Sequence, residues 1–341
     1  MRTTAKKPTA EASGTGQAAL FELPVRPIAT AEPKAEHRAL AAALPADIRL
    51  GAMSWSYRGW MGHVYAAGVS ERLMAARGLT AYVRHPLLRT VELDRSYYEP
   101  LPSASYRAFA EQVPGDFPFV VKAHEECTVQ RFPEHARYGS RRGERNLRFL
   151  DPYYARDVVI APLCEGLGAR LGSLLFQFPP QDSSDPRGFA ERLRGFLLRL
   201  PEGPRYAVEL RNPELLTPAY ADALAEASAT HCHNLWTAMP PLLAQVRSIP
   251  PVARRPLLVR WLLRRDHRYE QANARYAPFH RLVDEDPTTR EAIADLVARA
   301  HLHGVGALVL VDNKAEGCAP ESIALLAGAI VRRLAELGRA G

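Results

Sequence analysis

The chain has 341 residues, 47% of them hydrophobic and 24% charged, a balance that buries a large core and excludes disorder over most of the length. No stretch approaches the roughly 20 uninterrupted apolar residues of a membrane helix, so no membrane partner is expected. Lys and Arg number 44 against 37 Asp and Glu, a formal charge of +7 carried mostly by arginine, which suits phosphate or carboxylate partners and equally serves solubility.

Residues 1–46 are rich in Ala, Pro, Thr and Glu and lack a continuous apolar run after Lys6 and Lys7, so they do not read as a secretory signal. They read as a flexible tail, in which 18–28 is a candidate docking segment for the barrel or a partner. From residue 47 to 341 the pattern is that of one domain. Strands are predicted at 48–53 (IRLGAM), 90–93 (TVEL), 117–122 (FPFVVK), 173–178 (SLLFQF), 205–210 (RYAVEL), 229–235 (ATHCHNL), 257–261 (LLVRW) and 307–311 (ALVLV). SLLFQF and ALVLV are nearly all apolar, as strands buried on both faces are.

Helical spacing of apolar residues marks 71–84, 103–112, 153–167, 186–200, 213–228, 288–303 and 321–337. Ser103, Asp185 before Pro186 and Asp286 before Pro287 are start signals, and Pro320 suits a first helical turn. Alternation of this kind predicts an α/β fold of the (β/α)8 TIM-barrel type, single-domain. A doubly wound sheet is the competitor, but no G-x-G-x-x-G follows the first strand. The basic stretch 131–148 (RFPEHARYGSRRGERNLR) reads as an excursion after the third strand. Cys127, Cys164, Cys232 and Cys318 lie far apart without a C-x-x-C pair, which argues against a zinc ribbon or a disulfide scaffold and for a reducing, cytoplasmic setting.

A barrel carries its chemistry at the C-terminal mouth, and polar residues close most of these strands. Trp55, Tyr57 and Trp60 follow the first. Glu92 and Asp94 end the second, with Tyr97 beyond. Lys122 ends the third, Gln177 the fourth, Glu209 and Arg211 the fifth, Asn234 the sixth, Arg260 the seventh, and Asp312 with Asn313 the eighth. Period-two alternation puts Glu92 with Asp94, and Glu209 with Arg211, on shared faces. Strands about 4.8 Å apart make a Glu92–Lys122 ion pair and a Gln177–Glu209 contact expected. A self-satisfying structural layer is the plain alternative. Charged groups are rarely buried without reason, which favours a ligand site. Lys122, Arg211 and Arg260 suit an anion, with Glu92 or Glu209 as acid or base. His231-Cys232-His233 is an H-x-H pair that begins mid-strand, and His124-Glu125-Glu126-Cys127-Thr128 is not a zinc H-E-x-x-H. No metal and no cofactor is assigned.

The segments GAMSWSYRGW, VELDRSYYEPLP, FPFVVKAHEECT, LGSLLFQFPP, RYAVELRNPELL, LLVRW and VDNKAEGCAP run in order through the chain. Together they resemble the YecE-like family, a domain of unknown function with a TIM-barrel fold, over about residues 48–335. The resemblance implies a fold and a site location, not a reaction. It departs from the family pattern at Gly51-Ala52-Met53-Ser54-Trp55 (usually Gly-Thr-Ser-Gly-Trp), at Glu92-Leu93-Asp94 (usually Glu-Ile-Asn), at Asp312-Asn313 (usually paired asparagines) and at Ser322 (usually asparagine). The fold it implies is similar to that of endonuclease IV and xylose isomerase relatives, an analogy of fold alone.

Three functions compete. The first is an enzyme acting on a small anionic ligand, phosphorylated or carboxylated, by acid/base chemistry. Glu92, Lys122 and Glu209 are its catalytic candidates. Trp55, Tyr57, Trp60, Tyr97, Gln177, Arg211, Asn234, Arg260, Asp312 and Asn313 are its substrate-binding candidates. The second is a nucleic-acid binder or endonuclease-like protein, favoured by basic loops at Arg141-Arg142 and Arg264-Arg265. The third is a non-catalytic ligand-binding protein or scaffold. An imine role for Lys122 is open, although a Glu92 partner would hold its proton on. Replacing Glu209 or Arg211 by Ala is expected to abolish binding with modest effect on folding.

Overall fold

The computed structural model describes residues 28–252, 255–264 and 266–340. Eight parallel strands close into a barrel in chain order: β1 (Ile48–Ala52), β2 (Thr90–Leu93), β3 (Phe119–Lys122), β4 (Leu171–Gln177), β5 (Tyr206–Glu209), β6 (Thr230–Asn234), β7 (Leu257–Trp261) and β8 (Ala307–Val311). Every strand lies where its apolar run predicts, within a few residues at its ends. The fold is a single-domain α/β TIM barrel. Alternate side chains fill its interior: Val120, Leu175, Ala207, Cys232, Leu258, Leu308 and Leu310 form an apolar plug beneath the mouth. The opposite faces pack on the helices.

The helices are α1 (Ala35–Ala43), α2 (Glu71–Arg77), α3 (Leu79–Tyr82), α4 (Arg95–Tyr98), α5 (Ser103–Ala110), α6 (Pro152–Tyr154), α7 (Ala161–Leu167), α8 (Pro186–Leu197), α9 (Pro218–Glu226), α10 (Leu242–Ser248), α11 (Tyr269–Tyr276), α12 (Pro287–Leu302) and α13 (Ala319–Ala340). Asp185 and Asp286 cap α8 and α12 through Gly188 N and Thr289 N, with proline in the first turn of each. Ser103 is instead the first helical residue, after an N-cap Pro102 with no side-chain bond.

Three long helices expected from spacing are broken, each for a local reason. Gly78 separates α2 from α3; a Cβ there would lie 2.7 Å from the Trp55 ring and 2.8 Å from the Tyr65 hydroxyl, so the chain needs glycine to let both aromatics in. Pro162 lacks the N–H that would close the preceding turn, and a π-helical stretch, Ala155–Ile160, precedes α7. Pro218, capped by Thr217, starts α9 afresh after a 3-10 turn at Pro213–Leu215.

The tail expected over 1–46 is structured in its second part. Thr30 bridges to Tyr65, Ile28 is buried, and α1 packs near α13. Arg89 donates to the carbonyls of Ala41, Leu44 and Pro45 at the end of α1, supplying the partners a helix C-terminus lacks. Residues 1–27, and with them most of the docking segment 18–28, lie outside the described residues.

Gly51 on β1 sits against β2. A Cβ at this position would lie 1.8 Å from the Thr90 carbonyl oxygen, so the strands must part to admit one. Gly51→Ala is expected to cost about 1–3 kcal/mol of unfolding free energy by this overpacking. Urea unfolding checks it, and an unchanged midpoint would show that the strand pair yields freely.

Candidate active site at the C-terminal mouth

The mouth is organised around Arg260, the inward residue near the end of β7. Its Nε and Nη2 donate to the two carboxylate oxygens of Glu92 at 2.8 and 2.9 Å. Its Nη1 donates to Glu209 and, at 3.2 Å, to Gln177 Oε1. Nη2 also touches the sulfur of Met53 at 3.7 Å. One planar guanidinium therefore joins β2, β4, β5 and β7, as its fork of donors permits. Arg260, Glu92 and Glu209 are 3%, 2% and 0% exposed.

The Gln177–Glu209 contact expected from strand adjacency has its basis in the register, which makes these residues direct partners. The expected Glu92–Lys122 ion pair does not form. Register sets Glu92 opposite Val120 rather than Lys122, and the bidentate fork of Arg260 satisfies both Glu92 oxygens.

These contacts set the protonation states. Burial works against the charge on Arg260, but Glu209 and Glu92 outweigh it and hold the proton more firmly than usual. Burial opposes ionisation of Glu209, and Arg211 and Arg260 overcome it, holding the carboxyl below its ordinary range. Glu92 goes the other way. Burial lifts it, and the pull of Arg260 and Lys122 offsets this only in part.

Lys122 differs from the other mouth cations. Its Nζ lies 4.1 Å from the centre of the Tyr97 ring and makes no hydrogen bond or ion pair among the described residues. Burial, and then the positive charge of Arg260, pull it down to about 8 against the smaller pull of Glu92, Asp94 and Glu209. Arg211 donates from Nε to Glu209 Oε1 at 2.6 Å, and its Cζ stacks 4.2 Å from the Trp236 ring centre. Its two terminal amino groups have no protein partner among the described residues.

Other candidate residues serve the frame. Asn234 donates to Leu210 O at 3.0 Å, accepts from Trp236 N, and is held by Gln245. Trp60 is fully buried and donates to Asn313 Oδ1 at 3.0 Å, which also caps Ala319 N at 2.9 Å. Trp55 is not brought to the Arg260 cluster. Its indole donates to Met74 O at 3.2 Å and packs edge-on against Phe109 in the helix layer. Tyr57 stacks between Trp60 and Phe279; burial, with Asp312 and Asp94 near, pushes its hydroxyl up. Asp312 pairs with Lys314 at 2.8 Å, and that ammonium lies 4.7 Å from the Tyr269 ring centre.

Trp236, Lys314 and Tyr269 were not among the sequence candidates. Trp236 stands two residues past Asn234, and Lys314 directly follows Asn313, so extending each strand-end search by two residues finds both. Tyr269 opens α11, well past the end of β7, and leaves no such signal.

The two histidines of the H-x-H face away from the mouth. His231 Nδ1 is 2.9 Å from the Tyr220 hydroxyl, and His233 Nε2 is 3.1 Å from Ile249 O. Burial keeps both neutral, pushing His233 down to about 4. Among the described residues no group of three or more His, Cys, Asp or Glu is placed to hold a metal ion.

The basic excursion after β3 folds over its own small core of Val129, Phe132 and Tyr138. Much of its charge is already paired: Arg137 with Glu125, and Arg141 and Arg148 with Glu126 at 2.6 and 2.9 Å. Arg264 pairs with Asp266 at 2.8 Å, and Arg265 lies outside the described residues. A separate depression of about 800 Å³, with Arg49, Asp116 and Arg205 on its walls, lies at the opposite end of the barrel.

A family model described as "Protein of unknown function DUF72" matches residues 49–339. A DUF72 family protein from Thermotoga maritima MSB8 shares 17% identity, with 85% of this chain and 99% of that one covered and a TM-score of 0.52. Another, from Enterococcus faecalis V583, shares 17% identity, with 84% and 97% covered and a TM-score of 0.51. No curated protein matches the chain. At this identity the two crystal structures speak to the fold, which they share.

Proposed function

The chain belongs to DUF72, the YecE-like family its motifs resemble, and from that premise we propose that it is an enzyme binding a small phosphorylated or carboxylated substrate at the barrel mouth. One observation carries the reading. Two mouth cations, Arg211 and Lys122, keep donors that no group among the described residues uses, while Arg260 spends its own on Glu92, Glu209 and Gln177. Buried donors normally find partners, and an anionic ligand supplies them.

In this reading Arg211 grips the anion, held in place by Glu209 and Trp236. Arg260 braces the site rather than touching substrate. Lys122 moves the proton, because a group poised near 8 gives and takes one at neutral pH. Glu92, lifted by burial, stands near it as the second titratable group. Tyr97 shields the amine from water.

Calorimetric titration with inorganic phosphate and with pyruvate tests this. Arg211→Ala is expected to lose about 2 kcal/mol or more of binding, roughly 30-fold in Kd. Affinity of the intact protein is expected to weaken as pH rises past about 8, where Lys122 gives up its charge. Binding unchanged in Arg211→Ala would overturn the assignment.

A second reading, nucleic-acid binding, rests on Tyr98 and Tyr153. These are 58% and 66% exposed and lie against Arg137 and Arg156 at 5.1 and 5.3 Å, an arrangement on which bases stack. Fluorescence anisotropy with labelled single-stranded DNA decides it. A steep salt slope, flattened in Tyr98→Ala and Tyr153→Ala, is its expected result; no binding at low salt would end it.

A further inference from the structure

We propose that Lys122 captures the carbonyl carbon of a small 2-oxo carboxylate as an imine, the carboxylate being gripped by Arg211. The proposal rests on the anion-binding reading of the mouth and adds to it a covalent step and a substrate class.

Composition first. Only five residues of the chain are lysine (Lys6, Lys7, Lys34, Lys122 and Lys314), against a far larger number of arginines. Charge alone would be met by arginine here as it is at Arg211 and Arg260. What a guanidinium cannot do is lose its proton near neutrality and act as a nucleophile; an amine can. The inward position that ends β3 therefore carries the residue type that covalent chemistry needs.

Its surroundings fit that use. Lys34 is 3.7 Å from Glu36, and Lys314 is 2.8 Å from Asp312. Among the described residues Lys122 has no carboxylate within ion-pair distance, although Glu92, Asp94 and Glu209 are close enough to act on it electrostatically. Glu92 and Glu209 are taken by arginine. The bidentate Arg260–Glu92 pair thus removes the neighbouring-strand carboxylate as a direct partner of the amine. Burial and the guanidinium nearby favour the neutral amine and outweigh the attraction of the Tyr97 ring for the ammonium. Glu209 pairs with Arg211 and acts electrostatically on Lys122, so amine and guanidinium fork are both neighbours of one carboxylate. A molecule with a carboxylate next to a carbonyl matches that pair.

The step balances. The neutral amine attacks the carbonyl carbon, a C–N bond forms, the C=O π bond breaks, and a proton passes from nitrogen to oxygen. The carbinolamine then takes up a proton and loses its C–O bond as water, leaving a protonated imine. The net change is one protonated lysine and one carbonyl giving one iminium ion and one water.

The test uses the full-length protein with pyruvate, glyoxylate or 2-oxoglutarate and sodium cyanoborohydride at neutral pH. The hydride fixes any iminium as a secondary amine, and peptide mass mapping reads all five lysines. Lys122 is expected to be modified at least about tenfold faster than Lys34, since burial and Arg260 loosen its proton and Arg211 holds the acid beside it, and slower in Arg211→Ala. The intact chain carries the experiment, so no Lys122 variant has to fold. No Lys122 adduct with any of the three acids, while they still bind by calorimetry, overturns the imine step and leaves the anion site standing. Absence of both adduct and binding overturns both. Labelling of Lys122 no faster than Lys34 also overturns it, as ordinary surface reactivity.

Discussion

Arg260→Met is expected to lower the unfolding free energy at pH 7 by about 3–5 kcal/mol, the cost of leaving buried charge without its partner. Glu92 depends on this cation and Glu209 shares it with Arg211, and neither carboxylate reaches solvent. The pH dependence identifies the cause. In the intact protein Glu209 is held below its ordinary range; its contribution is present above the unfolded value of about 4.5 and is lost as pH falls below it. In the variant Glu92, already lifted by burial, loses its pair and rises further, while Glu209 keeps Arg211 alone and moves up with it. Their penalty is then absent in acid and grows as pH climbs through the raised values. The two stability curves should converge toward pH 5. Urea unfolding at pH 7 and pH 5 measures both, and a deficit independent of pH would mean that lost packing, not stranded charge, is responsible.

Glu209→Ala should be nearly as damaging, again by about 3–5 kcal/mol, because it strips Arg211 and Arg260 of an anion at once. Arg211→Ala should be milder, since Glu209 keeps Arg260 and the lost stack on Trp236 lies at the rim. The sequence reading treats the two substitutions alike, as loss of binding with little effect on folding; the geometry divides them. Glu209 belongs to the foundation, and Arg211 to the surface that meets ligand. Denaturation of both variants, alongside the phosphate titration, checks the division. Equal losses of stability would refute it.

The strands and their polar ends were legible because period two is a local property. Register between sequential neighbours was legible at β4 and β5, where Gln177 and Glu209 pair as expected, but not at β2 and β3, where Glu92 faces Val120 instead of Lys122. The choice among cations was not. Glu92 has Lys122 on the next strand and Arg260 across the barrel, and only the closed ring of strands decides that the second reaches it with both donors. Trp236 escaped notice because its stack on Arg211 depends on how β6 turns at Asn234. The helix α1 escaped notice because AEHRALAAA carries no clear apolar stripe; its ordering comes from its packing and from Arg89 at its end, neither of which is local.

Glu92 and Arg260 stand 168 residues apart in the chain. During synthesis the segments bearing Glu92, Lys122 and Glu209 emerge before Arg260 does. Until β7 takes its place, Glu92 lacks its bidentate partner and Glu209 has Arg211 alone, so dehydrating the two carboxylates stays unfavourable. Drying of the mouth is thereby tied to the placement of one arginine.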